Sequence, residues 1–363
     1  MLYHHNRNYG CRINKELSYK GLRIAVLENE YLRVSVLIDK GTDIFEFLYK
    51  PKDIDFMWLS PWGINSPSKF IPSINSKDGN FIDYYLGGWP EILPNFGYSV
   101  EYRGIEEGLN GEICLIPWEF QILEDGPSKI SIKFMVRTCR TPFYLEKTLT
   151  LCSNDPKLYV SEKLKNEGYT DIELNWVHHP TFGGSFLDDS VVAYLPKNEV
   201  KYVMPSKNEK TDLTQELNYG TWPVFKSADN KNMDFSKSPT LFNDNQHMDD
   251  CCFGELEEGW YALTNFNKKV GFGMRWDKKV FPYIWMWRMY GKGVKEGPWW
   301  GRVECLAMEL CSSLVLDGGL DLSVKNNTAL KMKPQQEIET SFMAIAYEKS
   351  DNVQKINELG EIL

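Results

Sequence analysis

This sequence of 363 residues lacks the features that mark several common protein classes. No apolar run is long enough to cross a membrane, and the first residues are not those of a signal peptide, so we expect a cytoplasmic protein with no membrane partner. Acidic residues outnumber basic ones by 50 to 41, and the net charge of −9 disfavours nucleic acid as a partner. Internal repeats are also missing, and we predict a single domain over residues 1–363.

The eight cysteines are scattered along the chain and include no CxxC pair. That pattern argues against a thioredoxin motif and a zinc ribbon, and it favours reduced, mostly buried thiols. The adjacent Cys251 and Cys252 are either two small apolar residues of a strand or a redox-active pair. We predict neither a metal site nor a bound cofactor.

Short runs of alternating apolar and polar residues are abundant instead. A period of two indicates strands with one buried face. The clearest runs cover residues 22–26, 32–38, 44–49, 130–136 and 338–344, with turn signals between them. Many short strands separated by turns predict an all-β sandwich or barrel.

Helical periodicity is clear only near the C-terminus, where Val353, Ile356 and Leu359 would share one face of a short helix. Residues 205–250 are rich in Lys, Asn, Asp and Ser and have weak periodicity. We interpret this region as a long irregular connection that passes over the sheet.

Aromatic residues make up 14% of the chain and include twelve tryptophans. Several tryptophans lie in clusters beside Gly and Pro. Flat rings next to loop-forming residues suit the apolar C–H faces of sugars, although aromatic rings also fill cores. The clustering favours a carbohydrate ligand.

Two residue types carry the candidate chemistry. Only five histidines are present, and the pair His178 and His179 lies in a stretch that ends in Pro and Gly. Histidine exchanges protons near neutral pH, but a buried structural role is the alternative. If residues 305–311 form a strand, Glu309 lies on a face of small residues, which is typical of a cleft wall. An ordinary exposed glutamate is the alternative there.

Four segments in order resemble the galactose mutarotase (aldose 1-epimerase) superfamily. They are the glycine–proline loop at 87–97, the stretch 108–112 with Trp118 after it, the segment 175–182 with the paired histidines, and the strand around 307–309. The resemblance covers roughly residues 20–345. It implies a large antiparallel β-sandwich with few short helices.

The resemblance also implies a function, the interconversion of the α and β anomers of a sugar. It makes Glu309 the base and His179 the acid, across one cleft with room for a sugar ring between them. The implied partner is a small-molecule carbohydrate, bound by a monomer or a homodimer. Residues proposed to bind the sugar are Glu91, Asn110, Trp118, His178, Asp250 (in preference to Asp249), Trp285 and Arg288. Asn110 departs from the family pattern, which has His there.

Three other functions stay open. A non-catalytic carbohydrate-binding protein of the same fold fits the loss of the family His at Asn110. Lyases and glycoside hydrolases also have this fold, but hydrolysis usually requires two carboxylates, and Glu304 and Glu309 would face opposite ways. A metal site of His178, His179 and Glu309 is disfavoured because adjacent residues of a strand diverge.

Overall fold

The computed structural model describes residues 7–67, 79–196, 199–204, 221–226, 231–239, 247–254, 256–291, 295, 297–315 and 318–363. Strands dominate the described chain. In the first part the elements are β1 (Arg12–Tyr19), β2 (Leu22–Glu28), β3 (Leu32–Leu37), β4 (Asp43–Tyr49), β5 (Ile54–Asp55), α1 (Gly79–Ile82), β6 (Glu91–Ile92), β7 (Val100–Tyr102), β8 (Ile105–Glu107), β9 (Glu119–Asp125), β10 (Lys129–Arg137), β11 (Phe143–Cys152) and β12 (Lys157–Asn166).

The second part of the chain continues in the same way. Its elements are β13 (Ile172–Leu174), β14 (Val177–His178), β15 (Thr181–Phe182), β16 (Val191–Tyr194), β17 (Glu199–Met204), β18 (Val224–Lys226), β19 (Asn232–Asp234), β20 (His247–Gly254), β21 (Trp260–Asn265), β22 (Val270–Trp276), β23 (Tyr283–Tyr290), β24 (Cys305–Cys311), α2 (Leu320–Lys325), β25 (Leu330–Met332) and β26 (Glu337–Tyr347). A short 3-10 turn, Lys50–Lys52, separates β4 from β5.

Three larger sheets organise these strands, and neighbouring strands in them pair in antiparallel fashion. The eight-stranded sheet has the order β16-β21-β22-β26-β12-β11-β10-β9. The seven-stranded sheet has the order β17-β20-β23-β24-β14-β6, with β15 also paired to β24. A meander of β1 to β5 forms the third sheet. The expected all-β antiparallel fold is confirmed.

Alternation in the sequence explains why the two largest sheets pack face to face. Along β11, buried and half-buried residues alternate at every position, so one side of the eight-stranded sheet is apolar. Ile284, Met286 and Leu306 of the seven-stranded sheet join the same core. Across this interface the ring of His178 lies 4.7 Å from that of Phe342.

The opposite face of the seven-stranded sheet carries a separate apolar cluster. Trp285, Trp287 and Ala307 belong to it, and each is next in the chain to a residue of the main core. The seven-stranded sheet is therefore apolar on both faces. Its outward face is the one that holds the candidate site.

The prediction of a C-terminal helix is wrong. Val353 and Ile356 are buried against β21 and β26, whereas Leu359 is exposed, and Ile356 forms an antiparallel bridge with Ile362. The Asn357 side chain accepts the backbone N–H groups of Leu359 and Glu361, which folds the chain back instead of continuing a helix.

Much of the long connection expected at 205–250 lies outside the described residues. Among the described residues, no helix is long and apolar enough to span a bilayer.

Candidate active site

A cleft of about 200 Å³ opens on the outward face of the seven-stranded sheet. Strands β20, β23 and β24 form its floor, and loops from the first third of the chain form its walls. In the floor, Trp285 lies beside Glu309, and Asp250 lies beside Trp287. The lining residues are Phe81, Ile82, Tyr85, Phe96, Gly97, Tyr98, Leu109, Asn110, His179, Met248, Asp250, Trp285, Trp287, Trp299, Glu309, Val315 and Gly318.

His179 lies just after β14 and is held on both backbone and side chain. Its N–H donates to the Pro90 carbonyl at 3.0 Å, and its Nδ1 lies 3.1 Å from the Thr181 hydroxyl. The Tyr85 hydroxyl is 2.9 Å from the same Thr181 oxygen. These contacts fix the imidazole so that Nε2 points to the floor of the cleft.

Glu309 meets that nitrogen directly, because its Oε1 lies 3.3 Å from His179 Nε2. The expected juxtaposition of the two side chains is found, but the expected space for a sugar ring between them is not. The other carboxyl oxygen of Glu309, Oε2, is buried and has no hydrogen-bond partner among the described residues. Because the two side chains are in contact, a ligand ring can reach both of them only by lying over the pair.

Burial shifts the pKa values of both His179 and Glu309. Desolvation lowers the pKa of His179 to about 4, so the imidazole is neutral at pH 7. Desolvation, helped by the nearby charge of Asp250, raises the pKa of Glu309 well above its ordinary value. Both shifts favour the state in which the imidazole is neutral and the carboxyl keeps its proton.

Asp250 is a second carboxyl in the same cleft. Burial raises its pKa to about 7, and the charge of the neighbouring Asp249 contributes in the same direction. The indole N–H of Trp285 lies 3.4 Å from its Oδ1. The preference for Asp250 over Asp249 agrees with the structure, since Asp249 faces the core and pairs with Arg288 at 2.7 Å.

Asn110 also lines the cleft, at a left-handed backbone position with φ of 59°. Its side-chain oxygen accepts the Gly97 N–H at 3.0 Å, and its own N–H donates to the Gly97 carbonyl. With the oxygen used in this way, Asn110 offers a ligand mainly the N–H bonds of its amide. Asparagine tolerates this backbone conformation better than most residues, which agrees with its place before Gly111.

Aromatic rings line the floor and the walls of the cleft. The sequence predicts ring stacking for Trp285 and Trp287, but not for Tyr85 and Trp299. Trp287 shares a face with Trp285 because the two are two residues apart in β23. That periodicity was available in the sequence. Tyr85 and Trp299 come from loops, where no periodicity indicates the direction of a side chain.

Four predicted sugar-binding residues lie elsewhere, and these predictions are corrected. Glu91, His178 and Arg288 face the main core and are at most 3% exposed. Trp118 is equally buried and donates its indole N–H to the Ile113 carbonyl. Next to His178 and Arg288, the neighbouring residues His179 and Trp287 reach the cleft instead.

Two of these residues, Glu91 and His178, belong to a buried ionic network between the two largest sheets. Glu91 lies 2.9 Å from Lys147 and accepts the indole N–H of Trp176 at 2.7 Å. His178 Nε2 lies 2.9 Å from a carboxylate oxygen of Glu162. Burial raises the pKa of Glu162. Burial acts in the same direction on Glu91, but Lys147, His178 and the Trp176 indole together outweigh it and lower the pKa of Glu91.

Metal ligation fits neither of the possible groupings. His178 and His179 point to opposite faces of the sheet, so they cannot converge on one ion with Glu309. Ligand atoms of Glu91, Glu162 and His178 do lie within 4.8 Å of one another. The ammonium of Lys147 already supplies the positive charge that a metal ion would bring to these carboxylates.

Larger surface depressions exist but lack such chemistry. The one of about 620 Å³ around Arg275 and Trp276 contains half-exposed ion pairs, such as Arg275 with Glu258 at 3.2 Å. Ion pairs that are open to solvent in this way do not form a buried acid–base couple like that of His179 and Glu309.

A family model described as a domain of unknown function, DUF4432, matches residues 19–296 of the chain. No curated protein sequence matches the chain. Similarity at the level of sequence therefore indicates a family without indicating an activity.

Solved structures share the fold. A proposed aldose 1-epimerase of Klebsiella pneumoniae superposes with a TM-score of 0.68 at 13% identity, over 94% of this chain and 84% of that one. A proposed aldose 1-epimerase of Escherichia coli gives 0.58 at 14% identity, over 90% and 100%. A galactose mutarotase-like protein of Clostridium acetobutylicum gives 0.59 at 10% identity, over 93% and 99%. The fold is thus that of the galactose mutarotase-like proteins.

Proposed function

The chain belongs to the DUF4432 family, and we propose that this member is an isomerase that interconverts the α and β anomers of an aldose. The observation that carries the proposal is the direct contact of His179 with Glu309 at 3.3 Å inside an aromatic cleft. The likeness to proposed aldose 1-epimerases supports the same reaction.

The reaction needs a proton donor and a proton acceptor close together. One group removes the proton of the anomeric hydroxyl while the other protonates the ring oxygen. The bond between the anomeric carbon and the ring oxygen then breaks, and an open-chain aldehyde forms. Rotation about the adjacent C–C bond and reclosure give the other anomer. No atom is gained or lost.

His179 and Glu309 can alternate in these two roles because the pair holds a single proton. In opening, the neutral imidazole takes the hydroxyl proton and the Glu309 carboxyl gives its own to the ring oxygen. In reclosure the carboxylate takes the proton back and the imidazolium returns the other. The resemblance implies the opposite assignment, with Glu309 as base and His179 as acid, and that assignment starts from the pair with its single proton on the imidazole.

The electrostatics of the cleft favour a neutral sugar. The described lining residues include no Lys or Arg that could pair with a phosphate or a carboxylate on the ligand, and the two acidic side chains among them, Asp250 and Glu309, offer no positive charge. Arg288, which suggested an anionic sugar, is buried against Phe235, with 3.7 Å between its guanidinium carbon and the ring centroid. The substrate is therefore a free, unphosphorylated aldose.

Exchange NMR or polarimetry on a panel of free aldoses tests the proposal, with the spontaneous rate subtracted. Glu309→Gln keeps the shape but cannot exchange a proton, so it should lower the anomerisation rate by a factor of about 10²–10⁴. His179→Asn should have a similar effect. His178→Asn is the matched control, because it changes the adjacent histidine on the other face and should leave the rate per folded molecule unchanged.

Sugar binding without faster anomerisation would instead support a carbohydrate-binding protein of the same fold. Equal rates for the wild type and Glu309→Gln would remove the acid–base pair from the mechanism.

A further inference from the structure

A line of tryptophan rings leads out of the cleft. Trp287 in the floor lies 5.7 Å from Trp299, and Trp299 lies 6.2 Å from Trp62, measured between ring centroids. Trp62 does not line the cleft and is 40% exposed. A large aromatic ring so open to water, continuous with a sugar-sized cleft, is typical of a binding surface.

The Trp62 ring is held by ordered structure. The Trp62 N–H lies 3.2 Å from the Ser60 hydroxyl oxygen, and the Gly63 N–H donates to the Ser60 carbonyl at 2.9 Å. The guanidinium carbon of Arg302 lies 5.5 Å from the centroid of the Trp62 ring. Because Arg302 is exposed, its N–H groups are available to hydroxyl oxygens of a ligand.

Arg302 also borders a second hollow of about 400 Å³. Its lining includes Trp58, Ser185 and Glu304, so an aromatic side chain stands beside hydroxyl and carboxyl groups. The Trp58 ring lies 6.0 Å from that of Tyr85, which belongs to the cleft. The hollow and the cleft are thus connected by the contact of these two aromatic rings.

The volume of the cleft limits how much of a ligand it can hold. The cleft, at about 200 Å³, lies below the range of roughly 300–1,000 Å³ typical of drug-sized ligands. It accommodates one sugar ring over the His179–Glu309 pair. A further unit that is attached to that ring and points towards Trp299 meets Trp62 and Arg302.

We propose that Trp62 and Arg302 form a second subsite, which binds the next sugar unit of a reducing oligosaccharide whose reducing-end ring occupies the cleft. The proposal rests on the proposed function only in that the cleft binds the reducing ring. Trp62 supplies a flat apolar face for stacking, and Arg302 supplies hydrogen-bond donors to the hydroxyl groups at its edge.

Titration calorimetry with glucose, galactose, maltose, cellobiose and lactose tests this subsite without requiring turnover. At least one disaccharide should bind roughly three- to tenfold tighter than its reducing-end monosaccharide, which is the range expected for one aromatic contact. Trp62→Ala should remove that advantage and leave monosaccharide affinity unchanged. Trp62→Phe, which keeps a ring, should retain most of it.

Arg302→Met should reduce the disaccharide affinity in the same selective way. Tyr169→Ala is the control for truncating an exposed ring, since Tyr169 is 89% exposed in the loop between β12 and β13 and does not line the cleft. Equal affinity for monosaccharides and disaccharides, or a disaccharide advantage that survives Trp62→Ala, would overturn the subsite. Disaccharide-selective binding with no anomerisation would support the subsite and overturn only the proposed reaction.

Discussion

Adjacent residues in the strands around the cleft have opposite environments. Asp250 faces the cleft, where burial raises its pKa to about 7, and Asp249 faces the core in an ion pair with Arg288. Asp250 also contributes to the raised pKa of Glu309. The chemistry of Glu309 is therefore set by desolvation and by one neighbouring charge, and that charge can be removed by mutation.

Asp250→Asn should move the alkaline limit of activity to lower pH. Without the negative charge of Asp250, the ionised form of Glu309 costs less free energy. The pKa of Glu309 therefore falls, and the pair loses its proton and its activity at a lower pH. The acid limit, set by His179 with its pKa of about 4, should stay in place. The pH profile of kcat/KM measures both limits in the sugar-free protein. An alkaline limit that is unchanged, or that moves upward, would contradict this coupling.

Four strands are joined by the buried ionic network. Glu91 on β6, Lys147 on β11, Glu162 on β12 and His178 on β14 bring charge into the interface between the two largest sheets. Buried ion pairs are costly to desolvate, and each partner depends on the other. Because the Pro90 carbonyl next to Glu91 accepts the His179 N–H, the network also anchors the segment that carries the candidate acid–base pair.

Lys147→Met should destabilise the fold by about 3–5 kcal/mol, since it leaves Glu91 charged and unpaired in the core. Adding Glu91→Gln should recover part of the loss, because the uncompensated charge disappears. Urea unfolding measures both variants. Lys163→Met on β12 is the matched control, because its ammonium pairs with Glu337 at the surface, and it should change stability far less. A double variant no more stable than Lys147→Met would show that packing, not charge, causes the loss.

The molecule as a whole buries several carboxyls whose pKa values rise on folding. Burial raises the pKa of Asp55 to about 6 and those of Glu107 and Asp250 to about 7. These carboxyls keep their protons to a higher pH in the folded state than in the unfolded chain. Their ionisation therefore lowers the free energy of unfolding as pH rises from about 4.5 to 7. His179, whose pKa is lowered to about 4, acts in the opposite direction over part of this range.

Glu107→Gln should make the protein more stable at pH 8, by on the order of 1–3 kcal/mol, and change little at pH 5. The wild-type carboxyl is fully buried, and within the described residues neither of its oxygens has a hydrogen-bond partner, so its ionisation opposes folding. Thermal unfolding at the two pH values measures the difference. Glu106→Gln, at the exposed position before it in β8, is the control. A destabilising effect of Glu107→Gln at pH 8 would refute the assignment.

Much of the fold follows from local pattern. Alternation in the runs at 22–26, 32–38, 130–136 and 338–344 predicts strands that the structure contains, because a strand exposes successive side chains to opposite faces. The same rule separates His178 from His179 and places Glu309 among small residues on the cleft side. The proposal of a single domain over residues 1–363 stays a prediction.

Tertiary structure alone decided which face meets solvent. Alternation distinguishes two faces of β14 and β23, but both faces of this sheet are apolar, so composition could not assign Glu91, His178 and Arg288 to the core. The contact between His179 and Glu309 and the charge pairs across the sheets join residues far apart in the chain. The first joins neighbouring strands of the seven-stranded sheet, and the charge pairs join the two stacked sheets. Desolvation in the cleft, rather than residue type, sets the protonation of His179 and Glu309.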